Sequence, residues 1–484
     1  MIATLAFRHL VVHRRRSFFL LLGYGLGVGV MIVLLSVGEA MLEQSRDLAL
    51  VGGGEVTVLP EGIDVEAMRT GGVSGMFFGI DRARFLTRQL LGGRRHEGVI
   101  AAVSPAIEHK VAYLSFRSRT AVARAGAEIP SRARQVGASL DLLEGRWEDH
   151  AADSASLVPT PGQLYDEMDR FHLPRTRDSS WAEWHYFNVI TGEGEWWYLT
   201  WLVGGDVPLG RWGGQVLLTR RAADGTHQRF TATVPSSAVT MDTTRADLLL
   251  GPHAVRQHGG VYSLTATGEG VAGGARVELT VTPERDRFFP PVELLEGSAR
   301  SGYVVPALRA TATGRLCIGA TCRMITDAPA YHDHNWGTWR AVTWDWGAVR
   351  GGAVDLLFGA VYTHAARAGS GSPSMFVTVV DSLGVRQVLR ARPVRYEGTH
   401  PRSAELGFAV PASFTMLAER ESDSLLVEGT VDEVEATLSP AAGVGQRFLQ
   451  LRGRVRMTGT VAGAAVADEG EGFFETYVRA RSVP

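Results

Sequence analysis

Trp181 to Gly205 reads "WAEWHYFNVITGEGEWWYLTWLVGG". The stretch divides into the runs "EWHYFNVI" and "EWWYLTWLV" around a glycine-containing "TGEG", the pattern of a β-hairpin. Side chains alternate across a strand, so Trp184, Tyr186 and Asn188 share one face while Glu183, His185 and Phe187 share the other. On the return strand Trp197, Leu199 and Trp201 oppose Trp196, Tyr198 and Thr200. Both faces are aromatic. One is expected to pack in a core while the other lines a cavity, because aromatics bearing N–H and O–H groups are awkward core filler without partners. The bland alternative is that the whole hairpin is core.

Beyond the hairpin the same alternation recurs in short runs separated by Gly, Asp and Pro. Examples are "QVLLTRR" from Gln215, "VYSLTATG" from Val261, "ARVELTVTP" from Ala275, "SMFVTVVDS" from Ser374 and "RFLQLRGRVRMTGTV" from Arg447. Regular short strands with turn signals indicate antiparallel sandwiches or barrels. The expected fold is mainly β: two antiparallel β-barrel domains preceded by one transmembrane helix and a small α+β segment. The expected divisions are 1–45 (basic leader and membrane helix), 46–150 (extracytoplasmic segment), 151–175 (linker), 176–315 (first barrel) and 316–484 (second barrel). "DHAADSASLVPTPGQ" (Asp149–Gln163) carries the linker reading, being polar, small and Pro-containing.

The 484 residues carry a net charge of −2, which gives no electrostatic argument for nucleic acid. From Ser17 to Gly38, "SFFLLLGYGLGVGVMIVLLSVG" runs without a charge and is long enough to span a bilayer as a helix. "RHLVVHRRR" (Arg8–Arg16) precedes it and "EAMLEQSRD" follows, so the positive-inside rule places the N-terminus in the cytoplasm and the rest outside. A cleaved signal peptide is the rival reading. Cys317 and Cys322 flank a tight turn, and either a disulfide across a hairpin or two free thiols fits the spacing.

Two resemblances follow from quoted motifs. The basic leader, the Gly-containing helix, "GEAM" and "GGGEVTVLPEGID" resemble the start of a macrolide-exporter or cell-division type ABC transporter permease. That likeness implies an ATPase or permease partner, although no later hydrophobic run of spanning length follows. "EWHYFN", "EWWY", the lead-in "TGRLCIGATCRMITDAPA" and above all "AYHDHNWG" (Ala330–Gly337) resemble the carotenoid 1,2-hydratase/AttH-like family. The resemblance implies paired lipocalin-like barrels with a hydrophobic pocket, and enzymes that hydrate an isoprenoid double bond. Tyr331, Asp333, His334, Asn335, Trp336 and Gly337 fit one signature; Glu183, Trp184, Tyr186, Phe187 and Asn188 fit the other. His185 departs from it, standing where a second aromatic is expected.

Adding water to an isolated alkene needs a proton donor, shelter for a carbocation and a positioned water. A carboxylic acid in an apolar pocket keeps its proton, which makes Asp333 the candidate acid. Tyr331 and Asp333 share one strand face and His332 and His334 the other, so Tyr331 and Asp333 are expected inward, with His334 as an orienting partner. Trp184, Tyr186, Asn188, Trp197, Trp336, Trp344 and Trp346 are the expected substrate-binding wall, their rings stabilising positive charge. No metal or cofactor is expected. The weaker alternative is a metal on His332 and His334, whose third ligand could come from His185, His253, His258 or His364. A third reading makes the motif a polar turn. "GSGSPS" lacks the context of a nucleophile elbow, so a hydrolase reading lacks its nucleophile. The functional expectation is a membrane-anchored hydratase for a hydrophobic isoprenoid-like substrate. Its rivals are a non-catalytic lipid-binding module beside an ABC transporter and a metal-dependent hydrolase.

Overall fold

The computed structural model describes residues 12–46, 93–96, 98–117, 119–137, 148–150, 165–166, 168–172, 179–192, 194–271, 273–296, 299–339, 342–363, 375–438 and 445–479, with isolated positions between 56 and 91. The chain divides into two compact units, one of residues 1–78 and 100–154, the other of residues 79–99 and 155–484. In the first, a helix runs Arg14–Arg46, and its Arg14–Val37 part is long and apolar enough to cross a membrane or to be a signal sequence. The same unit holds the hairpin β1 (Ala106–Phe116) and β2 (Arg119–Glu128) and a short helix at Pro130–Gln135. Most of "GGGEVTVLPEGID" lies outside the described residues, as do His364 and most of the expected linker.

The second unit is almost entirely antiparallel sheet. Its first half contains β3 (Trp181–Gly192), β4 (Glu195–Asp206), β5 (Arg211–Arg221), β6 (His227–Pro235), β7 (Val239–Met241), β8 (Leu248–Leu250) and β9 (His253–His258). It continues through β10 (Val261–Gly270), β11 (Gly273–Pro283), β12 (Phe289–Glu296), β13 (Ala299–Ile318) and β14 (Thr321–Thr338). The second half contains β15 (Val342–Gly351), β16 (Asp355–Thr363), β17 (Met375–Asp381), β18 (Gly384–Ala391) and β19 (Arg395–Glu397). It ends with β20 (Ser413–Arg420), β21 (Asp423–Thr430), β22 (Glu433–Leu438), β23 (Gln446–Val461) and β24 (Ala464–Arg479). Each half closes on itself. Pairing of β11 with β10 joins β11-β13-β14-β3-β4-β5-β6-β10 into one eight-stranded barrel. Pairing of β18 with β20 joins β18-β17-β16-β15-β24-β23-β21-β20 into the other. Closure leaves those strands no unpaired edge.

Alternation explains most strands. In β10, Tyr262, Leu264 and Ala266 are buried while Ser263, Thr265 and Thr267 are exposed. The hairpin of β3 and β4 is buried on both faces because each face meets a different core. Phe187, Val189, Trp197, Leu199 and Trp201 point into the first barrel. Tyr186, Trp196 and Tyr198 instead join Tyr303, Tyr331, Trp346 and Phe473 in an aromatic cluster where the barrels meet.

Three expected divisions move. The first barrel extends through Thr338 rather than ending at 315, because β14 pairs with both β13 and β3. The second sheet begins at Val342. Residues 165–172 are not linker: Tyr165, Met168 and Phe171 are buried in the first barrel's core. Residues 79–99 belong with the barrels rather than with the segment 46–150, and Arg95 bonds Asp381 at 2.5 Å.

An ion cluster clamps the barrels. Asp355 at the start of β16 accepts from Arg309 of β13 at 2.6 and 2.5 Å, and from Arg287 at 2.8 Å. Asp355 is fully buried, so removing it strands two guanidinium groups. Asp355→Ala is expected to destabilise the paired barrels by about 3–5 kcal/mol in chemical denaturation of the full chain. Arg309→Ala added to that variant should cost far less than Arg309→Ala alone.

Candidate functional site

Strand β14 pairs residue by residue with β3 from Ala330↔Val189 to Thr338↔Trp181 without a register shift. Its other neighbour, β13, takes up the irregularity. Between Val304↔His334 and Ala310↔Ala330 the register shifts twice, each time with one extra residue on β13. The strand that carries the motif is thus held straight, and its side chains alternate between two buried compartments.

Tyr331 and Asp333 face the aromatic cluster between the barrels. Tyr331 Oη donates to Asp333 Oδ2 at 2.9 Å and Asn335 Nδ2 donates to Oδ1 at 2.7 Å. Trp346 Nε1 donates to Tyr331 Oη at 3.2 Å. Burial, and next the negative charge of Glu475, push the Asp333 carboxyl well above the usual carboxylate range; the bonds from Tyr331 and Asn335 oppose this without overcoming it. Glu475 of β24 is itself pushed up to about 7 by burial, against the hydrogen bonds from Trp344 Nε1 at 3.0 Å and Gln450 Nε2 at 3.2 Å. Two carboxyl groups in one apolar setting therefore have their pKa values pushed apart from the ordinary range. Beside them opens a small cleft, partly open to solvent, lined by Asn188, Ile190, Leu308, Tyr331, Phe473 and Arg452 among others. The buried Tyr186 Oη, Asn188 Oδ1 and Tyr198 Oη on this face have no hydrogen-bond partner among the described residues.

His332 and His334 face the interior of the first barrel, where they meet Asp169. His334 Nδ1 lies 2.7 Å from Asp169 Oδ1 and its Nε2 lies 2.9 Å from Glu183 Oε1. His332 Nε2 lies 3.1 Å from Asp169 Oδ2, and its Nδ1 bonds the Tyr186 carbonyl at 2.9 Å. Tyr262 Oη donates to Asp169 Oδ2 at 2.8 Å. His185 Nε2 bonds the Ala246 carbonyl at 3.0 Å, and Nδ1, 3.7 Å from Asp169 Oδ2, has no hydrogen-bond partner among the described residues. Burial opposes the charge on Asp169, yet the neighbouring histidines outweigh it and hold the carboxyl far below the usual range. Burial likewise opposes protonation of His334, but its bonds to Asp169 and Glu183 raise it to about 9. Burial lowers His185 well below the usual imidazole value. Ligand atoms of Asp169, His185 and His334 lie within 4.8 Å of one another and could hold a metal ion.

The expected site residues separate accordingly. Tyr331, Asp333, Tyr186, Asn188, Trp344 and Trp346 belong to the inter-barrel side, with Trp184 packed against Trp339 and Trp344. His334 is not an orienting partner of Asp333, because strand alternation sends it to the opposite compartment. Trp336 follows His334 inward and stacks on His172 at 4.0 Å. Trp197 also turns inward: the register Asn188↔Tyr198 sets Trp196 and Tyr198 beside Tyr186 instead. Asp169 and Glu475 are additional members. Tyr165, Met168 and Phe171 recur at helix-like spacing around Asp169, and Glu475 interrupts the aromatic run "FFETYV"; both were readable signals. Cys317 and Cys322, left open above, form a disulfide across the β13–β14 hairpin.

Two closed eight-stranded antiparallel barrels, meeting through an aromatic face, make this a paired lipocalin-like protein. No family model matches the chain, and no curated protein matches it. Solved structures similar to it include CghA, at 12% identity over 62% of this chain and 89% of that one, with a TM-score of 0.43. A Nitrosomonas europaea protein assigned as AttH is similar at 14% identity, over 64% and 98% of the two chains, with a TM-score of 0.41. Kievitone hydratase from Nectria haematococca is similar at 10% identity, over 65% and 98%, with a TM-score of 0.39.

Trp344 reports on Glu475 because its indole N–H donates to that carboxyl. Tryptophan fluorescence of the full chain is expected to titrate with a midpoint near about 7, and Glu475→Gln should abolish the transition. A raised acid keeps its proton in the fold while the unfolded chain loses it near 4.5, so stability should fall as pH rises from there to about 7.

Proposed function

We propose that this protein is a membrane-anchored hydratase that adds water to a double bond of a hydrophobic, isoprenoid-like substrate by acid catalysis. The observation that carries the reading is Asp333: a buried carboxyl kept in its acid form, bonded to a tyrosine that lines an apolar cleft. The likeness of "AYHDHNWG" to the hydratase signature agrees with it.

In this mechanism the bond between Asp333 and Tyr331 first reverses, the acid's proton on Oδ2 donating to Tyr331 Oη; Tyr331 then passes its own proton to the alkene carbon as it takes the Asp333 proton, so the acid reaches a substrate it does not itself touch. The new carboxylate is met by the Asn335 and Tyr331 hydrogen bonds. The rings of Trp346, Tyr186 and Phe473 shelter the cation, each worth roughly 0.5–2 kcal/mol in a desolvated setting. Glu475, poised near about 7, takes the proton of the attacking water. Tyr186 Oη, Asn188 Oδ1 and Tyr198 Oη are the groups available to position that water or a polar end of the substrate. The Arg14–Val37 helix as an anchor suits a substrate that partitions into the bilayer, and the Cys317–Cys322 disulfide suits an oxidising compartment outside the cytoplasm.

Full chain in detergent, supplied with an acyclic polyene, should form a tertiary alcohol. Asp333→Asn should slow it by about 10²–10⁴ while ligand quenching of tryptophan fluorescence persists. A carrier would bind the polyene and form no product in either variant. The rate should rise as Glu475 ionises at about 7, and Glu475→Gln should remove that rising limb.

A further inference from the structure

Around Asp169 the orientation of each imidazole can be deduced from its far nitrogen. His185 Nε2 faces the Ala246 carbonyl and His332 Nδ1 faces the Tyr186 carbonyl, acceptors that require an N–H on those atoms. His334 Nε2 faces Glu183, whose carboxylate also accepts the His172 backbone N–H at 3.0 Å. Three rings are therefore pinned from behind, and their near nitrogens converge on one carboxylate, at 2.7 Å for His334, 3.1 Å for His332 and 3.7 Å for His185. His185 Nδ1 is fully buried, directed at that carboxylate, and has no hydrogen-bond partner among the described residues. A lone pair facing a carboxylate in a dry interior is repelled unless a cation lies between them.

We propose that the interior of the first barrel holds a divalent transition metal, zinc by its donor chemistry, on Asp169, His185 and His334. Ligand atoms on a tetrahedral zinc at about 2.0–2.1 Å sit roughly 3.3 Å apart; His334 Nδ1 lies 2.7 Å from one Asp169 oxygen, His185 Nδ1 3.7 Å from the other, and the ligand atoms all lie within 4.8 Å of one another, so the imidazoles draw in slightly on the ion. Hydrogen bonding of far imidazole nitrogens to a carboxylate or carbonyl is the outer arrangement that orients metal-bound histidines. Here Glu183 and the Ala246 carbonyl supply it, and Tyr262 orients Asp169. His332 supplies a third imidazole nitrogen on the same carboxylate. Metal binding displaces the proton otherwise shared between His334 and Asp169. The ion would tie residues 165–172 to β3 and β14 from inside the barrel. This site is separate from the Asp333 chemistry, which lies on the other face of β14.

The test is metal analysis of the full chain, purified in detergent through a histidine-free tag after growth with added zinc. About one metal per chain is expected. His185→Gln and Asp169→Asn should lose it, whereas His253→Gln, a buried histidine outside the cluster, should keep it. Glu183→Gln should weaken binding about 10–100-fold. Cobalt(II) added during refolding should give the visible bands of a tetrahedral site in the wild type and none in His185→Gln. Folded wild-type protein with neither stoichiometric metal nor cobalt bands overturns the proposal, and the three imidazoles then share protons alone with Asp169. The hydration assay decides the other reading independently, because it follows Asp333.

Discussion

Burying a carboxyl group without compensation is costly, and β14 meets buried carboxyls on both faces, Asp333 on its outward one and Asp169, with Glu183, against its inward one. The two are settled in opposite ways. Asp169 is surrounded by imidazoles and stays charged, while Asp333 meets tyrosine, tryptophan and a second acid and keeps its proton. A single strand, by alternation alone, separates a strongly ionic compartment from an aromatic one. The rest of the second unit supports that separation: the first barrel closes around Asp169, and the second barrel covers Asp333.

The aromatic cluster serves both packing and chemistry. Tyr303 stacks with Phe376 at 5.5 Å and Phe289 with Phe376 at 5.7 Å, which carries the first barrel's surface onto the second. The same cluster keeps Asp333 out of water. Inter-barrel adhesion and acid retention thus have one cause, and the Asp355 clamp at its edge fixes the relative position of the two walls.

Much of this was legible in the sequence, for local reasons. Alternation and turn residues disclosed the β3–β4 hairpin and the barrels, and the separation of Tyr331 and Asp333 from His332 and His334 needs only a period of two. What escaped depended on register or on distant chain. Trp197 faces the first barrel and not the cleft because cross-strand register is fixed by the turn and its bulge between Ile190 and Gly192, not by either strand alone. The barrel boundary was misplaced because β13 and β14, of 20 and 18 residues, run on well past the point where typical short strands end. Asp169 sits 165 positions from His334, and only the folded chain makes them neighbours.

The paired bulges of β13 carry an evolutionary consequence. A one-residue insertion in β14 would exchange the two compartments' contents, sending histidines into the cleft and Asp333 into the barrel. The same insertion in β13 is of a kind already present there twice, at the positions flanking His332, whereas the extra residue that β14 carries lies outside the motif, between Ile325 and Ala328. Opposite the motif, length variation among descendants of this sequence should therefore accumulate on β13, while β14 from Ala330 to Thr338 drifts only by substitution.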